Sequence, residues 1–450
     1  MKRKAAALVA ASAAALVVTV VPLPTLHAQP AATTAAAPDQ RQAIARGFIE
    51  MINDGSPAAV EKFESAHRSA ARLTETPIPE RIKRVARMKE QFGSLRVEDS
   101  VTADNTGVSL VARSARGALV AMEFKFDSDG KLDGVILSVG GEEVRPKALT
   151  AEMRKSTVLA ACQALEEGYV FPEVAAKMAE VARGNLEAGR YDSITTEGQL
   201  ARRLTEDFRS VSKDLHLGVR IAPGDAGGHG NDEAEIDGPS AEADRQMAKD
   251  NYAFRKVEML ENNIGYVRFD LFINAQGARD TAAAAMAFLR NADAVIFDMR
   301  YNGGGSPEFI QFLTTYLVDE KTHLNDMVDR NGAVVEEYWT LPEVPGRRLG
   351  SKVPVYVLTS RSTFSGAEEF TYNLKNLKRA TVIGETTGGG AHPVRGERLN
   401  DRFVIGVPFM RARNPITQTN WEGTGVEPDI KVPAEEALDR AIAEARKNAR

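Results

Sequence analysis

Apolar residues recur at two different spacings in the first third of this chain, and the spacing predicts its elements. Over residues 43–52 and 82–88 they recur every three or four positions, as in amphipathic helices. Further on they alternate with polar residues, which predicts strands over 109–113, 118–126 and 132–137. Helices followed by such strands indicate an α+β domain over residues 40–145, with the helices packed on a curved antiparallel sheet.

The rest of the chain follows a different pattern. Residues 150–215 have helical spacing almost throughout and predict a small helical bundle. Within residues 256–445, apolar runs alternate with helical stretches, which indicates an α/β core with crossover connections. The runs read as buried strands are 264–269, 294–298 and 353–358. Residues 223–255 are rich in Gly, Asp and Glu, so they predict a flexible linker between bundle and core.

The start of the chain has the pattern of a secretory signal peptide. Basic residues at positions 2–4 precede an apolar run over 5–21, and Leu26-His27-Ala28 is suited to cleavage after Ala28. We therefore expect a signal peptide over 1–28, a disordered spacer over 29–39, and a periplasmic or extracellular protein without stable membrane association after cleavage. The alternative is an uncleaved anchor, because the apolar run is at the short edge of membrane-spanning length.

Composition and charge exclude several classes of function. The chain has 57 basic and 62 acidic residues and no basic tract with interleaved aromatics, which argues against nucleic acid as a partner. Cys162 is the single cysteine, so no intramolecular disulfide can form. Clusters of Cys and His at ligand spacing are missing from the sequence, and its glycine runs lack the Gly-Lys-Ser/Thr ending of a phosphate loop. We therefore expect no metal and no cofactor.

Two segments contain residues suited to acyl transfer. Ser365 stands at the predicted start of a helix, where backbone N–H groups lack partners, and the run Gly303-Gly304-Gly305 follows a predicted buried strand. A glycine loop can bring further N–H groups against a developing oxyanion. The spacing of Ser365 and Glu368 also fits an ordinary helix capping box, so both interpretations stay open at this point.

Five segments in order resemble the S41 family of serine peptidases, which includes tail-specific and C-terminal processing proteases, the tricorn protease core and interphotoreceptor retinoid-binding protein. The segments are Asp214–Val219, Asp298–Gly305, Ser365–Glu368, Ile383–Gly390 and Trp421–Asp429. The resemblance covers roughly residues 150–440. It implies a spiral α/β peptidase core of the ClpP/crotonase-like type, in which Ser365 is the nucleophile and Gly303 or Gly304, with Gly366, supplies the oxyanion donors.

The resemblance also bears on the group that activates the serine. Processing proteases with a Ser/Lys dyad have a lysine where this chain has Gly390, and the next basic residue, Arg395, is a poor proton acceptor. The chain is instead similar to the tricorn-core and retinoid-binding branch, which implies His216 as the base. Alternation over 215–220 predicts that Leu215, Leu217 and Val219 are buried and that His216 faces the other way. Among the other histidines, His392 is the rival.

The third catalytic member implied by the resemblance is Glu422. In the tricorn-type site a serine before the histidine links it to the acid, but here Leu215 precedes His216 and cannot relay a hydrogen bond. Either Glu422 contacts His216 directly, or Asp214 or a backbone carbonyl orients the imidazole ring.

These features predict a secreted or periplasmic serine endopeptidase that cuts peptides or unfolded proteins, and they leave its oligomeric state open. The alternative is a non-catalytic S41-like protein that binds an apolar ligand or a peptide. The linker is too short for a PDZ domain, and its acidic stretch from Pro223 to Ala248 suggests a lid that favours basic peptides. The α+β domain over 40–145 resembles the NTF2-like fold in the order and lengths of its elements, which implies a binding or scaffold module.

Overall fold

The computed structural model describes residues 38–102, 107–141, 145, 149–222 and 241–448. The signal peptide, its cleavage site and nearly all of the spacer lie outside these residues, as does most of the acidic stretch proposed as a lid. Within them, no helix is both long enough and apolar enough to cross a bilayer.

The N-terminal part packs four helices on one antiparallel sheet. The helices are α1 (Pro38–Asp54), α2 (Pro57–His67), α3 (Ala70–Glu75) and α4 (Ile78–Phe92). The strands are β1 (Leu95–Thr102), β2 (Gly107–Ser114), β3 (Leu119–Phe126) and β4 (Leu132–Gly140), paired in that order. Phe48, Phe63 and Phe124 join helices to sheet in edge-to-face contacts within a single apolar cluster. The NTF2-like relationship of this part stays a prediction.

Three helices follow, and they form an apolar cluster with strands from far along the chain. They are α5 (Ala151–Gly168), α6 (Pro172–Glu187) and α7 (Glu197–Ser212), and β5 (Gly218–Ile221) comes next. Cys162 is fully buried in this cluster, which also contains Phe208. Ile405 and Val407 belong to the same cluster, so helices and core are packed together.

A six-stranded sheet forms the centre of the C-terminal part. Along the chain run α8 (Ala241–Lys249), β6 (Phe254–Leu260), β7 (Ile264–Phe269), α9 (Gln276–Leu289), β8 (Ala294–Asp298), α10 (Pro307–Thr315), β9 (His323–Val328), β10 (Val334–Trp339), β11 (Val355–Thr359), α11 (Gly366–Asn376), β12 (Ala380–Gly384), β13 (Val394–Arg398), β14 (Phe403–Pro408), β15 (Arg411–Arg413), β16 (Ile430–Lys431) and α12 (Ala437–Asn448). The sheet order is β16-β12-β11-β8-β7-β6, parallel except for the β6–β7 pair. Phe297 packs on one face and Ile296 on the other, which explains the continuous apolar strands.

The parallel arrangement places the two predicted chemical segments side by side. Strands β8 and β11 are neighbours in register, with Asp298 opposite Leu358. The glycine loop follows β8 and the Ser365 turn follows β11, so both leave the same edge of the sheet. This edge, at the carboxyl ends of parallel strands, is where open α/β sheets place ligand sites.

Two small antiparallel sheets complete the core, in the orders β10-β9-β15 and β13-β14-β5. In the second, β5 pairs with β14, and Gly218 lies opposite Gly406. This pairing ties the segment containing His216 to the core.

The structure corrects the predicted linker over 223–255. Residues 241–249 form the helix α8, and β6 begins at Phe254. Tyr252, which lies between α8 and β6, is joined to α8 because its hydroxyl donates to Asp244 at 3.2 Å. Charged composition therefore misled the prediction here, since a charged segment can still form a helix that packs on a neighbour.

Candidate active site

Ser365 occupies a strained turn at the start of α11. Its backbone angles are φ 53° and ψ −124°, a positive φ that non-glycine residues rarely adopt. The loop after β8 packs directly against this turn. A Cβ atom added to Gly304 would lie 2.7 Å from Ser365 Cβ and 2.7 Å from the Gly366 nitrogen. The glycine therefore permits backbone to touch backbone beside the serine.

The backbone donors near Ser365 differ from those predicted. Gly303 N–H donates to the Asp270 carbonyl at 3.1 Å, and Gly304 N–H donates to Asn302 Oδ1 at 2.9 Å. Both N–H groups are thus already engaged, and their hydrogen bonds hold the glycine loop in place. Among the hydrogen bonds of the described residues, the N–H groups of Gly305 and Gly366 have no acceptor. Gly366 therefore stays a candidate donor, and Gly305 replaces Gly303 and Gly304.

The Glu368 carboxylate fixes the serine turn from inside the protein. It accepts the N–H of Ser365 at 2.9 Å, which is the Glu half of the predicted capping box. It also accepts the N–H groups of Gly389 at 2.7 Å and Gly390 at 2.9 Å and the hydroxyl of Thr387. Burial raises the pKa of Glu368 to about 7, although these donors act in the opposite direction. The capping interpretation and a role in the site are therefore compatible.

His216 lies just before β5, and its ring is next to the serine turn. The ring rests on that of Phe364, with centroids 4.6 Å apart and planes at 37°. A Cβ atom on Gly390 would come within 2.6 Å of His216 Cε1, so glycine at 390 leaves room for the imidazole. The Nδ1 atom is buried and has no hydrogen-bond partner in the described part of the chain. Burial lowers the pKa of His216 to about 4, so the ring is neutral at neutral pH.

The burial predicted for the neighbours of His216 holds only in part. Leu217 and Val219 are buried, but Leu215 is 46% exposed. The reason is that β5 begins at Gly218, so Leu215 lies in the preceding loop, where strand alternation does not apply.

A second imidazole lies in the same region, between two carboxylates. His392 Nδ1 is 2.7 Å from Asp214 Oδ2 and 3.5 Å from Glu422 Oε2. Asp214 also accepts the backbone N–H of His216 at 2.9 Å and the hydroxyl of Tyr169 at 3.3 Å. Burial would raise the pKa of Asp214, but the hydrogen bond and charge of His392 hold it below its ordinary value.

Neither acid proposed from the sequence orients the His216 ring. Asp214 contacts the backbone of His216, and Glu422 reaches His392 and accepts the N–H of Ala391 at 2.6 Å. Burial, followed by the charge of Asp214, raises the pKa of Glu422 to about 7. The sequence named all of these residues but not their pairing, because 178 positions separate Asp214 from His392.

The same three side chains are those that a metal ion could use. In the described residues, ligand atoms of Asp214, His392 and Glu422 lie within 4.8 Å of one another. The hydrogen bond between Nδ1 and Asp214 satisfies the ring nitrogen that would bind such an ion. Glu422 Oε1, by contrast, is buried without a hydrogen-bond partner among the described residues.

A small cavity opens beside Ser365. Ser365, Gly305, Gly366, His392, Met327 and Trp421 are among the residues that line it. Hydrogen bonds among the described residues do not join the Ser365 hydroxyl to either imidazole. A larger, open groove lies at the amino ends of β11 and β12, where Lys352, Lys378 and Arg379 line it, and it is remote from Ser365.

Comparison with known proteins identifies relatives for most of the chain. Residues 263–432 match the model of peptidase family S41, and residues 148–260 match the N-terminal domain of Peptidase_S41 in eukaryotic IRBP. The chain is 29% identical over 181 residues to the chloroplastic carboxyl-terminal-processing peptidase 2 of Arabidopsis thaliana, covering 38% of this chain and 32% of that one. It is 28% identical to the chloroplastic C-terminal processing peptidase of Tetradesmus obliquus over 39% of this chain and 36% of that one.

The chain thus spans about a third of the length of the curated relatives that it matches. Among solved structures, the photosystem II D1 C-terminal processing protease is similar with a TM-score of 0.41 and 18% identity, over 64% of this chain and 96% of that one. The two family models together confirm the resemblance that the five sequence segments indicated, and the described residues have the mixed α/β fold expected.

Proposed function

Because the chain belongs to peptidase family S41, we propose that it is a serine peptidase that hydrolyses peptide bonds through an acyl-enzyme on Ser365. One observation gives the strongest support for Ser365 as the nucleophile. Ser365 has a positive φ at the start of α11, beside two backbone N–H groups that have no acceptor among the described residues. A strained serine with free donors next to it is suited to attack a carbonyl and stabilise the oxyanion.

His216 acts as the general base in this proposal. Its Nε2 takes the proton of the Ser365 hydroxyl while the oxygen attacks the peptide carbonyl. A neutral imidazole is required for that step, and burial keeps His216 neutral. Contact with Phe364, the residue before the nucleophile, places the ring beside the serine turn. A small movement on substrate binding then closes the hydrogen bond, as catalytic contacts often tighten only in the complex.

The N–H groups of Gly305 and Gly366 stabilise the tetrahedral oxyanion in this mechanism. Loss of one such donor typically lowers the rate by about 10²–10³. Water then attacks the acyl-enzyme, and the acid product leaves with Ser365 restored. We propose peptides and unfolded proteins as substrates and the periplasm or cell exterior as the location, on the basis of the signal-peptide pattern.

The test compares the mature wild-type protein with Ser365→Ala and Ser362→Ala. Each is incubated with a mixture of unfolded proteins, and the peptides released are identified by mass spectrometry. A fluorophosphonate probe measures serine reactivity in the same preparations. We expect cleavage and labelling to disappear in Ser365→Ala and to persist in Ser362→Ala, which removes a nearby hydroxyl outside the turn. Cleavage that survives in Ser365→Ala would reject this nucleophile. A folded wild-type protein without cleavage or labelling would favour the non-catalytic binding protein.

A further inference from the structure

The two imidazoles near the nucleophile are in opposite environments. His216 has a ring nitrogen buried without a partner and no carboxylate hydrogen-bonded to its ring among the described residues. His392 has one carboxylate at 2.7 Å and a second at 3.5 Å from the same ring nitrogen. Pairs of titratable groups in such contrasting surroundings are characteristic of a base and an acid that act in one reaction.

The contacts of His392 are of the kind that usually orient a catalytic imidazole. Its hydrogen bond to Asp214 fixes the ring orientation and engages Nδ1, which leaves Nε2 as the free functional atom. The ring packs edge-on against Phe171, with centroids 5.5 Å apart, so it has little freedom to rotate. Although His392 is only 4% exposed, it lines the cavity that Ser365 also lines. A histidine with a purely structural role needs no access to that cavity.

We infer that His392, oriented by Asp214 and Glu422 at the cavity beside Ser365, is a second acid–base residue that protonates the leaving amine. The inference rests on the proposed function, because it assigns a role within the same reaction. It divides the proton transfers between two histidines, whereas a Ser-His-Asp triad uses one histidine for both.

Both histidines change protonation state during one catalytic cycle and regain it at the end. In acylation, His216 takes the proton of Ser365 and the C–O bond to the acyl group forms. His392, in its doubly protonated form, gives its Nε2 proton to the amine nitrogen as the C–N bond breaks. In deacylation, neutral His392 takes a proton from water as hydroxide adds to the acyl carbon. His216 then returns its proton to the Ser365 oxygen, and both histidines regain their starting states.

Leaving groups of different basicity separate the two roles. An amide nitrogen must receive a proton to leave, whereas a nitrophenolate leaves without one. The experiment therefore measures acylation rates of wild type and His392→Gln with an anilide and a nitrophenyl ester that share one acyl group, together with the rate of fluorophosphonate labelling. We expect His392→Gln to lower the anilide rate by about 10²–10³, within the range for general acid catalysis. Ester acylation and labelling should stay within about threefold of wild type, because neither step needs the acid.

Two further variants serve as references for His392→Gln. His216→Gln should lose anilide, ester and labelling reactions together. His323→Gln is the matched control, because His323 also pairs with an aspartate, at 2.8 Å from Asp326 Oδ1, but lies outside the site. Its rates should equal those of wild type. Should His392→Gln lose its melting transition, Glu422→Gln replaces it, with a smaller loss that is again confined to the anilide.

Each result bears on the inference. An unchanged anilide rate in His392→Gln overturns it. An equal loss of ester and anilide rates also overturns it, since His392 would then act as the base or hold the fold. Failure of the proposed function has a different signature, because wild type would not be labelled or Ser365→Ala would keep its activity.

Discussion

The Glu368 carboxylate accepts the N–H of Ser365 at 2.9 Å and, from a segment more than twenty positions later, the N–H of Gly390 at 2.9 Å. A capping residue thus also fastens the glycine segment that makes room for His216. The Ser365 turn and the segment beside His216 share a single buried acceptor, so their relative positions depend on it.

Substitution of Glu368 should therefore affect both segments. In Glu368→Gln, the new amide group would face N–H donors or leave them without an acceptor, at a cost of about 1–3 kcal/mol for each buried group left unsatisfied. We expect a lower melting temperature and slower fluorophosphonate labelling of Ser365. Glu427→Gln, which alters an exposed carboxylate, is the control. Unchanged labelling in Glu368→Gln would mean that the turn keeps its geometry without this acceptor.

The pH dependence of serine labelling should reveal the state of His216. Burial lowers the pKa of His216 from 6.5 to about 4, with the charges of His392 and Arg209 acting in the same direction and Asp214 opposing them. The base form therefore persists in mild acid, and the acid limb of the labelling rate should fall near pH 4. A limb at pH 6.5 or above would contradict this environment.

The same shift in pKa predicts a stability effect with a definite sign. Between pH 6.5 and 4 the unfolded chain binds a proton at His216 more readily than the folded chain does. The contribution of this residue is therefore fully present above pH 6.5 and decreases as the pH falls towards 4. We expect the free energy of unfolding of wild type, relative to that of His216→Gln, to decrease as the pH falls through this range. Urea unfolding of the two proteins measures this difference. A constant difference would show that the shift is absent.

Gly390 should not tolerate a methyl group. The added Cβ would lie 2.3 Å from Phe364 Cζ and 2.6 Å from His216 Cε1, so both rings must move. Overpacking of this kind costs about 1–3 kcal/mol, and displacement of His216 should abolish labelling. In the matched control Gly184→Ala, the new Cβ meets no atom of the described residues within 4 Å, and a gain of about 0.4–1 kcal/mol is expected. Rapid labelling of Gly390→Ala would place the base elsewhere.

The buried ion pair at the end of β8 should contribute strongly to the free energy of unfolding. Asp298 accepts from Arg300 Nε at 2.8 Å and Nη2 at 2.7 Å and from the Tyr266 hydroxyl at 2.6 Å. Asp298→Asn leaves the buried guanidinium without its counter-charge, at a cost of about 3–5 kcal/mol. Glu80→Gln, which breaks the exposed pair with Lys83, should cost less than about 1 kcal/mol. Urea unfolding measures both, and equal losses would contradict the distinction between buried and exposed pairs.

Much of the site was readable from local sequence. Apolar runs predicted the strands β8 and β11, and the residues after them predicted a glycine loop and a serine at a helix start. Gly390, where a Ser/Lys dyad would place a lysine, directed attention to His216. The predictions of strands, glycine loop and helix start are confirmed because such features are determined by neighbours in the chain, whereas His216 as the base stays a prediction.

The sequence alone determined the strands β7, β8 and β11, the family resemblance and the identities of Ser365, His216, His392 and Glu422 as candidates. Only the tertiary structure decided that Asp214 and Glu422 converge on His392 rather than on the His216 ring. It also decided that the N–H groups of Gly303 and Gly304 are engaged while those of Gly305 and Gly366 find no acceptor in the residues that the structure describes. The physical reason is that a hydrogen bond requires two atoms about 3 Å apart at a suitable angle, and contacts between distant segments are set by how the sheets and helices pack.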